Sequence, residues 1–517
     1  MKKILSIISL SAFAFLVFGC SEILDETPET LYNEAQVFST EQGVESALNG
    51  LYQSFADPAY HGSSWHGLIV PISGKFYSNQ GASEDATSLN CSPSNTWLTR
   101  LWPQMFTTIN VANTIIDNLE NTTLDLNNRE TALGQAYFIR AATYFDLVRF
   151  FGDVPLKTEP TTTENLHTPR APKSQVYDLI ISDFEKAKAM LPNAGEYLVD
   201  RPIKFAANAY LAKVYMQLAG EDGGNPALWQ NAFDEAIQVY GRYSLEPNFF
   251  DLYDSQNENT SESIFEIQYG QNGAVRNADI IRFYSPQDWA QLPITIETFG
   301  RVRPNKETFD QHLTQYPDDP RIDATFIYGS YQRYNNTGNI VNQNIYPTTA
   351  NGNNGFPFLN KYVDLNFNGT TTSRNFIKIR YADVLLMLAE IENELNGPGN
   401  AYAYVNEVLA RARNSSEGTP ATQPADWSGM SQDEFRSRIM RERQYELLGE
   451  GHEWFDTRRR GYQYFLDEVI ETHNNFPNLG NRDFIYPISV KNMLLPIPST
   501  EISGNQGITQ ADQNPGY

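Results

Sequence analysis

The sequence is poor in cysteine and histidine. Its 517 residues include only 2 Cys, at positions 20 and 91, and 6 His. If Cys20 carries a lipid, as argued below, Cys91 has no partner and no internal disulfide can form. The stability of the chain must therefore come from burial of apolar side chains.

Positive charge is also scarce. The chain has 38 Lys and Arg against 62 Asp and Glu, which gives a net charge of −24. This balance opposes nucleic-acid binding, because such binding depends on neutralising phosphates. An anionic polymer is likewise a less natural ligand than a neutral one, unless a local basic patch overrides the net charge.

Aromatic residues, by contrast, are abundant. The chain contains 29 Tyr, 30 Phe and 7 Trp. Many of them must form a core, but aromatic faces also stack on the apolar faces of sugar rings. The composition therefore favours a neutral carbohydrate as ligand.

The N-terminus has the pattern of an export signal. Lys2 and Lys3 precede an uncharged apolar run at residues 4–18, and a small residue then precedes Cys20. The run is too short to span a bilayer comfortably and a polar segment follows at once, so cleavage is favoured over a membrane anchor helix. We expect residues 1–19 to be removed and Cys20 to be lipidated; an ordinary secretory peptide cut near this point is the alternative.

Motifs for catalysis are lacking. There is no G-x-S-x-G elbow and no phosphate-binding glycine loop. The EGHE segment at 450–453 lacks the second histidine of a zinc motif, and His61 and His66 have no nearby cysteine or carboxylate. The sequence therefore predicts no enzyme, although a pair of glycosidase carboxylates could still be assembled by folding.

A short segment resembles the start of a calcium loop. DLNFNG at 364–369 places oxygen ligands at alternate positions before a glycine, but Asn375 stands where a bidentate Glu is expected. A plain Asn-Gly turn is the favoured interpretation. We expect no cofactor, with a structural calcium ion as the alternative.

Helical periodicity dominates the rest of the chain. Apolar residues recur every three or four positions in seven segments, and a capping box at 431–434 opens the last one. These segments are residues 133–151, 176–191, 206–218, 229–240, 379–395, 401–413 and 435–448. The pattern predicts an all-α fold of helix pairs similar to tetratricopeptide repeats, with a degenerate period.

Two loop-rich regions interrupt the helices. Residues 53–100 and about 247–376 are rich in Gly, Asn, Pro, Ser and Thr, with scattered aromatics and one β-like segment at 264–269. Insertions of this length in a helical protein are usually functional surfaces.

A charged run begins on the last long helical segment and continues past its end. It comprises Arg441, Glu442, Arg443, Glu446, Glu450, Asp456 and the arginines at 458–460. Glu442 and Glu446 are four residues apart, which is unfavourable on one helix face unless arginines intervene. We predict a buried arginine–carboxylate network that stabilises packing, with phosphate binding by the arginines at 458–460 as the less favoured alternative.

Seven segments form a series of motifs that spans nearly the whole mature chain. They are CSEILD at 20–25, RAATYFDLVRFFGDVPL at 140–156, RAPKS at 170–174, IRYADVLLM at 379–387, the region from RER at 441–443 to Arg459, LPIP at 495–498 and QNPGY at 513–517. Together and in this order, they resemble the SusD/RagB family of outer-membrane nutrient-binding lipoproteins.

The resemblance implies one domain over residues 20–517, with a body of tetratricopeptide-like helix pairs and long loops that form a glycan site. It also implies an outer-membrane, cell-surface location and a partner, a SusC-like TonB-dependent transporter. Family members bind an oligo- or polysaccharide and transfer it without cleavage. A surface glycoside hydrolase and a protein-binding scaffold are the two alternatives.

The candidate ligand-binding aromatics lie in the two loop regions. Trp65, Tyr77 and Trp97 come from the first, and Tyr284 and Trp289 from the second. We expect the tryptophans to be exposed, because polar loops offer them little core to fill.

Polar partners for sugar hydroxyls are predicted in the same regions. These are Asn79, Asn95, Arg282 and Arg301. The acidic balance of the chain makes a neutral glucan the leading substrate.

Overall fold

The fold is described from a computed structural model of the chain. The described residues are 34–78, 81–122, 125–193, 200–221, 224–269, 280–367, 369, 374–416 and 418–517. The predicted signal peptide, Cys20 and Asn79 lie outside these ranges.

Helices make up most of the described structure, as predicted. In chain order the α-helices, labelled α1 to α18, are Glu34–Val37, Glu41–Phe55, Ala82–Thr87, Thr96–Asn121, Arg129–Phe151, Lys173–Met190, Lys204–Gly220, Leu228–Val239, Ile280–Tyr284, Lys306–Gln315, Arg321–Thr325, Tyr381–Asn396, Pro398–Asn414, Gln432–Leu447, Glu453–Arg458, Tyr462–Phe465, Thr472–Asn474 and Ser499–Gly504. None of the helices in the described ranges is long and apolar enough to cross a bilayer.

Strands are short and form separate antiparallel pairs. In chain order β1 to β10 are Phe76–Tyr77, Val154–Pro155, Arg170–Ala171, Ser263–Ile267, Arg303–Pro304, Phe326–Ile327, Ser330–Tyr334, Ile340–Asn344, Phe358–Leu359 and Phe376–Arg380. The pairs are β1 with β5, β2 with β3, β4 with β10, β6 with β9, and β7 with β8.

Helix α5 is the centre of the N-terminal half. It is buried on all sides: nearly every side chain from Ala132 to Phe151 is covered, as expected of a helix surrounded by others. Helices α2, α4 and α6 pack around it. Gly152, with a φ of +72°, ends the helix in a conformation that a side chain would strain.

The predicted helix pairs are confirmed. Helices α4 and α5, α6 and α7, α8 and α7, and α12 and α13 pack against each other as sequential neighbours. The predicted capping box is present. The Ser431 side chain accepts a hydrogen bond from the backbone N–H of Glu434, and the Glu434 side chain accepts one from the backbone N–H of Ser431.

Strand β4 joins the two helical halves. It pairs with β10, which leads directly into α12, so the predicted helix at 379–395 begins two residues late, at Tyr381. One hydrophobic cluster includes side chains from Phe38 to Ile508. Both halves therefore share a core.

The predicted arginine–carboxylate network is confirmed. Arg321 separates the two like charges on α14, with Nη1 2.7 Å from Glu442 Oε1 and 2.9 Å from Glu446 Oε2. Burial alone would raise the pKa of Glu446, but the guanidinium groups of Arg411, Arg380 and Arg321 lower it to about 2. The network therefore keeps a buried carboxylate charged.

Candidate ligand-binding surface

The two predicted loop regions come together in space. Strand β1 of the first region pairs with β5 of the second. The rings of Trp97 and Phe283 are 5.8 Å apart, and His66 Nδ1 lies 3.2 Å from the Tyr284 hydroxyl oxygen. Residues that are about 200 positions apart thus form one capping layer.

Trp65 is not exposed, so the expected exposure is wrong. Its side chain is 1% exposed and belongs to the main core cluster. Lys378 Nζ lies 3.4 Å from the ring centroid, and Trp65 also packs against His61 and Phe150. The ring faces are therefore covered by protein.

Trp289 is also buried, against expectation, at 6% exposure. It forms an antiparallel β-bridge with Arg333 of β7, which places its backbone beside that strand. The polar composition of this loop does not reveal that another segment of the chain packs over the Trp289 side chain.

The two candidate tyrosines are buried as well. Tyr77 stacks on Phe356 with ring centroids 3.7 Å apart, and Tyr284 ends α9 with its ring against Tyr362. In this structure neither ring presents a face to solvent. Their assignment to ligand binding stays a prediction.

Trp97 is the one predicted tryptophan of the described loops whose side chain is partly accessible to a ligand. It is half-buried in the first turn of α4, where Asn95 caps the helix by accepting from the backbone of Trp97 at 2.9 Å. Gly67 lets the ring approach closely, since a Cβ there would lie 2.6 Å from a ring carbon. The predicted hydroxyl ligand Asn95 thus serves the helix cap, which positions Trp97.

A second half-buried aromatic, Phe299, was missed by the sequence reasoning. Arg301 Cζ lies 4.0 Å from its ring centroid, and Arg282 Cζ lies 5.8 Å from it. The missed signal is the run FGRVR at 299–303, an aromatic followed by alternating arginines. The predicted residues Arg282 and Arg301 are thereby brought together around one ring.

We call Trp97, Arg282, Phe299 and Arg301 the candidate surface. Backbone amides of Phe299 and Gly300 donate to the Arg282 carbonyl at 3.0 and 3.3 Å, so α9 and the following loop are joined here. The arrangement offers two partly accessible rings for stacking and two guanidinium groups for oxygen acceptors.

In the segment that resembles a calcium loop, oxygen atoms accept hydrogen bonds from other groups of the protein. Asp364 Oδ1 accepts from Ser255 Oγ and from the backbone of Asn366. The Asn375 side chain donates to Glu266 and Gln268. No group of three or more His, Cys, Asp or Glu in the described part of the chain could hold a metal ion.

The histidines considered as ligands are buried in the core. Burial lowers the pKa of His61 to about 4 and that of His66 to about 3. His452 is buried beside Lys213, and burial raises the pKa of Glu453 to about 7 while its carboxylate accepts from the Gly449 backbone. These groups therefore serve packing.

A body of helix pairs under a layer of loops is the architecture of a helical-repeat protein. The chain belongs to the SusD/RagB family. The SusD family model matches residues 230–517, and a second model, described as starch-binding associating with outer membrane, matches residues 22–216.

Known proteins are similar over almost the full length. SusD-like protein P2 of Formosa agariphila is 30% identical over 533 residues, covering 96% of this chain and 97% of P2. A SusD homologue from Bacteroides thetaiotaomicron has a TM-score of 0.77 at 21% identity, with 94% and 99% of the two chains covered. A laminarin-binding SusD-like protein has a TM-score of 0.69 at 23% identity, with 92% and 100% covered.

Proposed function

We propose that this protein is a cell-surface lipoprotein that captures an oligo- or polysaccharide and delivers it to a partner SusC-like TonB-dependent transporter without cleaving it. The observation that carries the proposal is the candidate surface, where Phe299 offers a ring face beside Arg282 and Arg301, and the half-buried Trp97 packs against Phe283, the residue after Arg282. Membership of a family described by glycan binding and outer-membrane association supports it.

Two charge arguments bear on the glycan. The net charge of −24 favours a neutral glucan, and the structural neighbour that binds laminarin fits that class. The arginines at the candidate surface favour an acidic sugar instead, because local charge dominates within a Debye length of about 8–10 Å.

Glycan binding without turnover is the first expected result. The mature chain should bind laminarin or another glycan from a panel in affinity electrophoresis, and no reducing ends should appear. Trp97→Ala should weaken binding about tenfold, as expected when one stacking contact is lost. The control Tyr240→Ala, which removes a 39% exposed ring beyond the end of α8, should leave affinity unchanged.

Release of shorter oligosaccharides would instead support the surface hydrolase. Absence of binding to every glycan, with capture of a protein partner alone, would support the scaffold.

The lipid anchor gives a second prediction. Cys20→Ala should move the protein from the membrane fraction to the soluble fraction, because Cys20 is the residue proposed to carry the acyl chains. Cys91→Ala is the matched control: this thiol is free and buried in the described core, so the variant should stay with the membrane. Membrane retention of the Cys20 variant would contradict the anchor.

A further inference from the structure

Most buried arginines in this protein contact carboxylates. Arg321, Arg380, Arg411, Arg443 and Arg459 each lie within 3.2 Å of at least two carboxylate groups. This is the usual way to compensate a guanidinium charge that is removed from water. An arginine without such a partner in so acidic a chain calls for another explanation.

Arg301 has no carboxylate partner in the described part of the chain. Its guanidinium stacks on Phe299 at 4.0 Å, and its Nε is buried without a hydrogen-bond acceptor. Stacking on a ring occupies the face of a guanidinium and leaves the N–H groups along its edge for an acceptor. The half-buried side chain is therefore held in place with donors unused.

Arg282 contacts the same ring. Its Cζ lies 5.8 Å from the Phe299 centroid and 5.9 Å from that of Phe367, and Nη2 donates to the Gly369 carbonyl. A carbonyl accepts a hydrogen bond but carries no net charge, so the positive charge of Arg282 is not neutralised by any described residue.

A third arginine without a described carboxylate partner is Arg303, two residues after Arg301. Arg303 is buried in β5, over the ring of Phe358, and donates to the carbonyls of Gly300 and Asn353. Burial lowers the pKa of Arg303 to about 10, and no described carboxylate lies close enough to form an ion pair. The candidate surface and the adjoining strand β5 thus hold three arginines without an ion pair to a described carboxylate, despite the net charge of −24.

The backbone keeps these cations close together. Gly300 adopts a φ of +50°, and a Cβ there would lie 2.4 Å from Phe358 Cε1. The loop can therefore pack on Phe358 only with glycine at this position, which places Phe299 and Arg301 on either side of the contact.

We propose that the candidate surface prefers an acidic saccharide, one with carboxylate or sulfate groups, over a neutral saccharide. The inference rests on the proposed function and names its ligand class. Arginine binds either oxyanion with two parallel hydrogen bonds, and the rings of Phe299 and Trp97 stack on the sugar faces. The glycan would supply the negative charge that the protein itself does not place here.

The test uses ligand pairs that differ only in charge. Homogalacturonan oligosaccharides are compared with their methyl esters, and sulfated carrageenan oligosaccharides with their desulfated forms. The charged member of at least one pair should bind the mature chain about tenfold more tightly at low salt, and the difference should shrink as salt increases. The pair that shows the effect identifies carboxylate or sulfate as the recognised group.

Variants of the two arginines test whether the preference for a charged saccharide arises at the candidate surface. Arg301→Gln and Arg282→Gln should each remove most of the preference for the charged member, because glutamine keeps hydrogen-bond donors but carries no charge. Arg441→Gln, which removes an exposed arginine of α14, is the control and should leave the preference unchanged.

The outcomes separate this inference from the proposed function. Equal or tighter binding of the neutral members by the unaltered protein would overturn the acidic preference while supporting glycan capture. A charge preference that both glutamine variants retain would overturn the role of this surface. Failure to bind any glycan would overturn the proposed function and the ligand class with it.

Discussion

Replacement of Arg380 by alanine is expected to lower the free energy of unfolding by about 3–5 kcal/mol, the range for breaking a buried ion pair from one side. Arg380 is fully buried and donates to Glu262, Glu446 and Glu450 at 2.6, 2.6 and 2.8 Å. Its removal leaves three buried carboxylates without the cation they share. Denaturant-induced unfolding of the mature chain measures the loss.

Arg441→Ala is the matched control for this prediction. Arg441 lies on the same helix as Glu446, is about half exposed and contacts Glu468 at 3.3 Å. A surface pair of this kind contributes about 0–1 kcal/mol. If Arg380→Ala loses no more stability than Arg441→Ala, the buried network does not stabilise the fold in the way the geometry indicates.

Replacement of Trp65 by alanine is expected to cost about 3–5 kcal/mol, the range for deleting a buried aromatic ring. Trp65 is 1% exposed, and the Lys378 ammonium lies over its ring. The change would leave a cavity between α5 and the capping loops and remove a cation–π contact. Glycan affinity at a temperature where the variant is still folded should be unchanged.

Trp97→Ala is the matched comparison, because Trp97 is half-buried and belongs to the candidate surface. It should lose glycan affinity and less stability than Trp65→Ala. A Trp65 variant with unchanged unfolding and lost glycan affinity would show that the ring is reached by ligand after all.

The helical body was predictable because its signal is local. The three-and-four periodicity of residues 133–151 and 206–218 corresponds to α5 and α7 within a few residues. The main error in the helical body, at 379–395, arose where a fully buried strand runs without a break into a helix. Residues 376–380 are buried on both faces, so periodicity could not separate β10 from α12.

The exposure of the loop aromatics was not predictable from composition. Trp65 and Trp289 occur in polar segments, but the capping layer has a core of its own, in which Tyr77 stacks on Phe356. Side chains from both loop regions meet there, and composition does not tell which face of a loop turns inward.

The sequence by itself determined the helical body, the buried charge network around α14, the family and the two regions that form the capping layer. These features depend on periodicity, on like charges at helical spacing and on motifs in a fixed order, all of which are properties of neighbouring residues. Only the tertiary structure decided which aromatics remain accessible and that Arg282 and Arg301 meet around Phe299 without a carboxylate. Burial and local charge depend on segments far apart in the chain, such as residues 65 and 378, and their contacts are set by packing.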